Sequence, residues 1–184
     1  MNVGAARADY FARNGFSTAA YEERWVHVRL GFVPVTFPNV PSRRRAIRFH
    51  DVHHVVTGYD TDLRGEAEIG AWEIAATFGD RGREFLAAWV LNTTVMAFGI
   101  LIAPRRVYRA FVRGLGCTSL YRIGWTDDLL ERDVESVRHE LGLDRTRAPT
   151  RRDRLAFVGL LAVIAIPPAA VVLGGVWLTL RALR

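Results

Sequence analysis

The feature that most constrains the fold is a run of 26 residues without a charged side chain, from Leu155 to Leu180. About 20 apolar residues in a helix suffice to cross the hydrocarbon core of a bilayer. A buried core helix of this length would usually carry a polar face, which this run lacks. Pro167 and Pro168 lie near its middle and predict either a kinked span or a re-entrant hairpin. We therefore expect a C-terminal transmembrane helix that anchors the protein.

The distribution of charge supports this expectation. All 25 basic residues are arginines, and the formal net charge is +6. Residues 1–150 carry 20 arginines and 18 acidic residues, whereas residues 151–184 carry five arginines and one aspartate. Because the arginines are denser before the apolar run than after it, we expect the main domain on the cytoplasmic face of the inner or cell membrane. No basic stripe with interleaved aromatic residues indicates a nucleic-acid partner.

Glycines, prolines and capping residues divide the remainder into short helices. The predicted helices are Ala5–Arg13, Ala19–Leu30, Arg43–Thr57 with Ser42 as the N-cap, Glu66–Phe78, a long one from Arg83 to Ala103, Arg105–Arg113, and one that begins near Thr126. The alternation of Val33, Val35 and Phe37 could instead form one short strand. We expect an all-α multi-helix bundle with a C-terminal transmembrane helix. Its parts are N-terminal helices and a proline-rich connector in residues 1–41, a helical metal-binding core in residues 42–150, and the anchor in residues 151–184.

The stretch from Phe85 to Ala103 is nearly long enough to span a bilayer, but Asn92, Thr93 and Thr94 lie at its centre. We interpret it as a buried helix that forms one wall of an apolar groove for a prenyl chain, with Gly99 leaving space. A second transmembrane span is the alternative.

Three of the five histidines fall within the pentapeptide His50-Asp51-Val52-His53-His54. Residues four apart lie on one face of a helix, so His50 and His54 could share a metal ion, with Asp51 at the edge of that face. Two histidines and a carboxylate suit Zn²⁺ and, with open coordination positions, also non-haem Fe²⁺. A histidine pair at this spacing is, by itself, weak support for a metal site. The prediction of a metal site therefore depends on whether further candidate ligands lie nearby.

Two glutamates supply those candidates. Glu66 follows His54 by twelve residues, beyond a loop bracketed by Gly58 and Gly65. Two antiparallel helices joined by this loop would bring Glu66 close to the end of the first helix. Glu73 lies seven residues further along on the same face. We therefore predict His50, Asp51, His54 and Glu66 as metal ligands and catalytic residues. We expect His53 and Glu73 to contact these ligands rather than the metal itself.

The pattern His50-Asp51-x-x-His54-x-x-x-Gly58-x-x-Thr61-x-x-x-Gly65-Glu66 resembles the signature of the Coq-four type ubiquinone biosynthesis proteins, HDxxH, eleven residues, then E. Ala103-Pro104-Arg105 and the VRHELGL segment around Glu140 extend the resemblance over roughly Ser42 to Leu143. The first forty residues and the C-terminal apolar run depart from the family, and His53 stands where an apolar residue is expected.

This resemblance implies an all-helical fold and a divalent metal, Zn²⁺ or alternatively Fe²⁺, held by the four predicted ligands. It implies membrane association within a quinone-biosynthesis assembly, and we also consider a homo-oligomer. The implied substrate is a polyprenylated aromatic quinone precursor, whose carboxylate at ring carbon one is replaced by hydroxyl. Arg105, Arg106 and Arg109 follow the long apolar helix and could meet a lipid head group or a substrate carboxylate.

Other interpretations remain open at this point. A non-catalytic prenyl-lipid-binding scaffold could use the metal only to join two helices. An HD-type metal phosphohydrolase would combine His50 and Asp51 with an upstream histidine such as His27, but it explains neither Glu66 nor the glycine-bracketed loop. A membrane desaturase would need about eight histidines, and this chain has five.

Overall fold

The structure is a computed structural model that describes residues 1–30, 33–77 and 83–164. The chain divides into two units, Met1–Arg147 and Ala148–Arg184. The first contains α1 (Val3–Asn14), a short 3-10 helix (Thr18–Tyr21), β1 (Trp25–Leu30), β2 (Val33–Pro38), α2 (Pro41–Thr57), α3 (Leu63–Ala76), α4 (Arg83–Ile102), α5 (Pro104–Leu115), α6 (Leu120–Ile123) and α7 (Val134–Glu140). In the second unit, residues 151–164 are helical.

A β-hairpin replaces the predicted second helix, so the expectation of an all-α fold was wrong. β1 and β2 pair in antiparallel register, from Trp25 opposite Pro38 to Leu30 opposite Val33. The Val33, Val35, Phe37 alternation does form a strand, and residues 25–30 supply the strand that pairs with it. A lone strand leaves its backbone N–H and C=O groups without partners, and pairing with β2 satisfies them in a segment whose local pattern also fits a helix.

The predicted C-terminal transmembrane helix is also corrected. Within residues 1–30, 33–77 and 83–164, no helix has both the length and the apolar character needed to cross a membrane. The described helix at residues 151–164 includes only ten residues of the apolar run, or about 15 Å at 1.5 Å per residue. Its first turn carries Arg151, Arg152 and Arg154. Residues 165–180 of the predicted span lie outside the described residues.

α2 carries the histidine motif, and its ends follow from local chemistry. It begins at Pro41, one residue before the predicted N-cap, because the fixed φ of proline suits the first helical position. It ends where predicted, at Gly58, whose φ of 76° is left-handed. Glycine adopts that conformation without a Cβ clash, which allows its N–H to bond the carbonyl of His54 at 2.9 Å.

α3 is the central helix of the first unit. Every residue from Ala67 to Thr77 is buried, as expected for a helix covered on all sides. α4 packs closely against it, since a Cβ on Gly99 would lie 2.0 Å from the Cβ of Ala67. The space that we predicted at Gly99 for a prenyl chain is therefore filled by the helix contact. Asn92 of α4 also reaches α3, where it contacts the buried Glu73.

Candidate metal centre

Three of the predicted ligands converge between α2 and the start of α3. The Nε2 atoms of His50 and His54 lie 3.1 Å apart. Glu66 Oε2 is 3.4 Å from His50 Nε2, and Glu66 Oε1 is 3.3 Å from His54 Nε2. Ligands bound tetrahedrally at about 2.0–2.1 Å would be separated by about 3.3–3.4 Å. The three side chains therefore already have the spacing that one Zn²⁺-sized ion requires.

The hydrogen bonds behind the two histidines set which ring nitrogen faces the centre. His54 Nδ1 lies 2.9 Å from the carbonyl oxygen of Tyr59, which can only accept, so this nitrogen carries the hydrogen. His50 Nδ1 donates in the same way to Glu73 Oε1 at 3.0 Å. When both rings are neutral, their Nε2 atoms therefore present lone pairs toward Glu66, the arrangement found in metal-ligating histidines.

With neutral rings, this arrangement would bring the two Nε2 atoms and the Glu66 carboxylate together with no donor between them, so a proton on His50 Nε2 serves as the donor when no metal is bound. The negative charges of Glu73 and Glu66 outweigh burial and hold the pKa of His50 well above its usual value. Burial alone would raise the pKa of Glu66, but its hydrogen bonds to His50 and His54 lower it to about 2. The cluster thus attracts positive charge, which either a proton or a metal cation can supply.

Glu73 organises the layer behind the centre. Its side chain is completely buried and accepts hydrogen bonds from His50, from His53 Nδ1 at 2.6 Å and from Asn92. Tyr121 contacts both carboxylate oxygens at 3.4 Å. Burial raises the pKa of Glu73, but the two histidines more than offset this effect, so its pKa lies well below the usual range.

His53 joins this layer rather than the ligand group. Its Nδ1 donates to Glu73, and its Nε2 accepts the backbone N–H of Leu120 at 3.0 Å. Burial lowers the pKa of His53, which agrees with a neutral ring that donates on one side and accepts on the other. His53 thereby links α2 and α3 to the first residue of α6.

Asp51 is the one predicted ligand that the structure places elsewhere. Among the described residues, His50, His54 and Glu66 form the group whose ligand atoms all lie within 4.8 Å of one another, and Asp51 does not belong to it. Its buried carboxylate instead accepts a hydrogen bond from the hydroxyl of Tyr21.

Glu66 is positioned by the loop between α2 and α3. Asp62 caps α3 by accepting the N–H of Gly65 at 2.7 Å. A Cβ on Gly65 would lie 2.1 Å from the carbonyl oxygen of Asp60, so only glycine permits this tight return of the chain. α3 begins at Leu63, three residues before the predicted start at Glu66. Glu66 therefore lies in the first turn of α3 and faces the end of α2.

A cavity of about 960 Å³ lies beside His54. It is lined by α1, the end of α2 and the following loop, including Tyr10, Asp9, Arg13 and Asp60. The ring of Tyr10 stacks on His54 with centroids 5.4 Å apart. Our prediction that α4 forms one wall of the groove is not met for this cavity, because none of its lining residues belongs to α4.

The three predicted head-group arginines occupy the corner between α4 and α5. Arg106 donates to Glu68 at 2.6 Å, whereas Arg105 and Arg109 are exposed. Beside them, Phe98, Leu101 and Ile102 expose 46%, 81% and 48% of their surface. This apolar and basic surface, Phe98, Leu101, Ile102, Arg105 and Arg109, is named the α4–α5 corner below.

Comparison with known proteins agrees with the motif. No protein-family model matches the chain. Ubiquinone biosynthesis protein COQ4, mitochondrial, from Eremothecium gossypii is 28% identical over 127 residues, which cover 60% of this chain and 35% of that protein. The proteins of the same name from Aspergillus fumigatus and Botryotinia fuckeliana are 31% and 32% identical over 105 and 98 residues, covering 52% of this chain and 33% of each relative. This chain resembles the Coq-four type proteins. The resemblance predicted from the motif is thereby confirmed, and the chain spans about a third of the length of these curated relatives.

Several residues around the centre were missed at the level of sequence. Tyr10, Tyr21, Asn92 and Tyr121 lie far from the Coq-four type motif in the chain and reach it only through packing. Of these four residues, only Asn92 could have been found from the sequence, because it is a polar residue within an otherwise apolar helix. Tyrosines in short, weakly patterned segments carry no comparable signal.

Proposed function

We propose that this chain is a metal-dependent, membrane-associated protein of ubiquinone biosynthesis that acts on a prenylated aromatic precursor. The observation that carries the proposal is the convergence of His50, His54 and Glu66 at metal-ligand spacing beside an open cavity. Three protein ligands leave a position for water or substrate, as in catalytic rather than closed structural zinc sites. The pathway comes from the similar proteins, which are ubiquinone biosynthesis proteins.

Each residue of the centre has a definable task in this proposal. His50, His54 and Glu66 would hold Zn²⁺ or Fe²⁺, while Glu73 and the Tyr59 carbonyl keep both imidazoles in the required tautomer. A bound ion would polarise a substrate oxygen and, if it were iron, would also supply redox chemistry. Burial and the nearby charge of Asp51 keep the pKa of Tyr10 above its usual value. Its hydroxyl therefore stays protonated and able to donate a hydrogen bond into the cavity that it lines.

The proposed reaction replaces the carboxylate at ring carbon one with hydroxyl. One carbon dioxide leaves, one oxygen atom is added, and the ring substrate loses two electrons, so an oxidant such as dioxygen is required. The walls of the cavity combine charged side chains, such as Asp9 and Arg13, with apolar ones such as Val55, which suits the polar aromatic head of the substrate. The α4–α5 corner supports peripheral contact with a membrane, since it combines exposed apolar side chains with exposed arginines.

The proposed activity is tested by supplying metal-loaded protein with a short-chain prenyl hydroxybenzoate labelled with ¹³C in its carboxyl group, in the presence of dioxygen. Release of ¹³CO₂ together with a ring-hydroxylated product supports an enzyme, and His54→Ala should abolish both. Binding of the prenyl compound without turnover, under Zn²⁺ and Fe²⁺ alike, would instead identify a lipid-binding scaffold.

The HD-type phosphohydrolase interpretation requires an upstream histidine at the metal site, and the structure does not supply His27 for this role. His27 lies on β1, is exposed and contacts Thr36 Oγ1 at 3.0 Å. It is not a member of the ligand group. Among the residues that the structure describes, no second histidine-rich group around His50 and Asp51 therefore supplies the ligand set which that enzyme class would use.

A further inference from the structure

The two outer edges of the β-hairpin differ in their capacity to bind a further strand. The N–H of Asn39 bonds to the carbonyl of Arg24 at 2.9 Å, which makes these residues a hydrogen-bonded pair just beyond the strands. Hydrogen-bonded and non-hydrogen-bonded pairs alternate along an antiparallel ladder. In the observed register, the odd-numbered residues of β1 and the even-numbered residues of β2 therefore turn their backbone N–H and C=O groups outward.

Prolines close the outer edge of β2. Two of its outward positions are Pro34 and Pro38, which have no N–H to donate to a further strand. The carbonyl of Pro38 is also occupied, since it accepts the N–H of Val40 at 3.1 Å. Thr36 alone retains an outward N–H on this edge, so β2 does not support a further strand.

The outer edge of β1 is open. Its outward positions are Trp25, His27 and Arg29, none of which is proline. Within the part of the chain that the structure describes, no group hydrogen-bonds the outward backbone of Trp25 or His27, and both side chains are exposed. A two-stranded hairpin is marginally stable by itself. A further strand added at β1 would therefore stabilise this one.

We propose that β1 pairs with β1 of a second copy of this chain, in antiparallel orientation, to form one continuous sheet of two hairpins. Each hairpin has one open and one closed edge, so this pairing ends at a two-fold symmetric dimer and does not continue into a fibre. The two-fold axis passes beside His27, which comes opposite the same residue of the second copy. About six backbone hydrogen bonds from the outward groups of β1 join the two copies.

The identity of the partner follows from the complementarity of β1 to itself. In this register the position of Arg29 comes opposite the exposed Trp25 of the second copy and diagonal to its exposed Glu23. Opposite charges on neighbouring strands stabilise a sheet, whereas like charges directly opposite destabilise it. A shift of the register in either direction would leave an outward position of β1 without a partner.

Two proline variants of the full chain test the open edge. His27 and Thr36 are opposite each other in the hairpin, and both have an outward N–H, so proline at either position removes no bond between β1 and β2. Both variants also lose the same contact between the two side chains. Sedimentation equilibrium should show a wild-type dimer, weakened by about tenfold or more in His27→Pro because its central hydrogen bonds are lost. Thr36→Pro is the matched control and should dimerise as wild type does.

A charge exchange tests the axis without relying on a proline variant. His27→Lys and His27→Glu each place two like charges opposite each other, so each should be monomeric, with circular dichroism unchanged from wild type. Their equimolar mixture should form a heterodimer, which native mass spectrometry detects by mass. A monomeric wild type, a His27→Lys dimer as tight as wild type, or equal weakening by His27→Pro and Thr36→Pro would each overturn the proposal.

Discussion

His50 and His54 face each other through their Nε2 atoms, 3.1 Å apart, while hydrogen bonds occupy both Nδ1 atoms. One turn of α2 provides the separation, and Glu66 completes a triangle of ligand atoms. The Nδ1 atom of each ring is held by a residue that is not a fixed position of the motif, Glu73 for His50 and the Tyr59 carbonyl for His54. The predictions below test the ligands, the layer behind them and the surfaces that surround them.

His54→Ala should reduce metal affinity by more than about 100-fold, because it removes one of three ligands. Elemental analysis of the purified protein, with about one divalent ion per chain expected for wild type, measures the effect. His27→Ala is the matched control, since His27 is an exposed histidine on β1. Equal metal content in His54→Ala and in the control would refute the assignment.

Glu73→Gln should weaken metal binding by about 10–100-fold although Glu73 is not a ligand. The amide cannot accept from His50, His53 and Asn92 as the carboxylate does, so the ring of His50 loses its fixed orientation. Calorimetric titration with Zn²⁺ measures the change. Glu131→Gln, at an exposed site, should bind as wild type does; an unchanged affinity in Glu73→Gln would exclude this orienting role.

The metal-free protein should lose stability as the pH rises through the raised pKa of His50. A histidine whose folded-state pKa is raised contributes stability that is fully present below its unfolded value of 6.5 and is lost above its folded value. Chemical denaturation of the metal-free protein across this range measures the loss. His50→Gln should flatten the dependence, and an equal slope in both proteins would contradict the assigned protonation.

Metal binding should be coupled to the same proton. Because the ion displaces a proton from His50, affinity should increase with pH until the folded-state pKa is passed. Calorimetry in buffers of different ionisation enthalpy counts the protons released. Glu73→Gln should release fewer protons at neutral pH, since it removes a charge that raises the pKa of His50.

Gly65→Ala should destabilise the protein by about 1–3 kcal/mol, because its Cβ would collide with the Asp60 carbonyl and the loop before Glu66 would have to move. For a chain of this size the corresponding fall in Tm is about 2–4 °C per kcal/mol. Gly116→Ala is the control, since the nearest atom to its added Cβ would lie 3.4 Å away. Equal Tm values for the two variants would contradict the close approach.

Replacing Arg105 and Arg109 together with alanine should weaken binding to anionic vesicles by about 2 kcal/mol, given about 1 kcal/mol per arginine near a charged surface. Sedimentation with phosphatidylglycerol-containing vesicles measures binding, and vesicles of phosphatidylcholine alone should show little difference. Leu101→Ser should also weaken binding, whereas Trp25→Ser, at an exposed apolar residue on β1, should not. Equal effects of Leu101→Ser and Trp25→Ser would remove the α4–α5 corner as the contact surface.

The sequence alone determined the features of this protein that depend on short-range geometry. The i, i+4 spacing of His50 and His54 specifies one helix face, and Gly58 specifies where that helix ends. The glycine-bracketed loop was enough to predict that Glu66 returns to the same place. These relationships depend on helical periodicity and turn chemistry, which act over a few residues.

Tertiary structure decided which partner each group meets. Pairing with β2 makes residues 25–30 a strand, and the hydroxyl of Tyr21, thirty residues before Asp51 in sequence, determines where that carboxylate lies. Hydropathy predicted a transmembrane helix after Leu155, but no helix in the described part of the chain has the length and apolar character to cross a membrane. Helical periodicity assigns a side chain to a face, whereas the groups opposite that face come from distant segments brought together by packing.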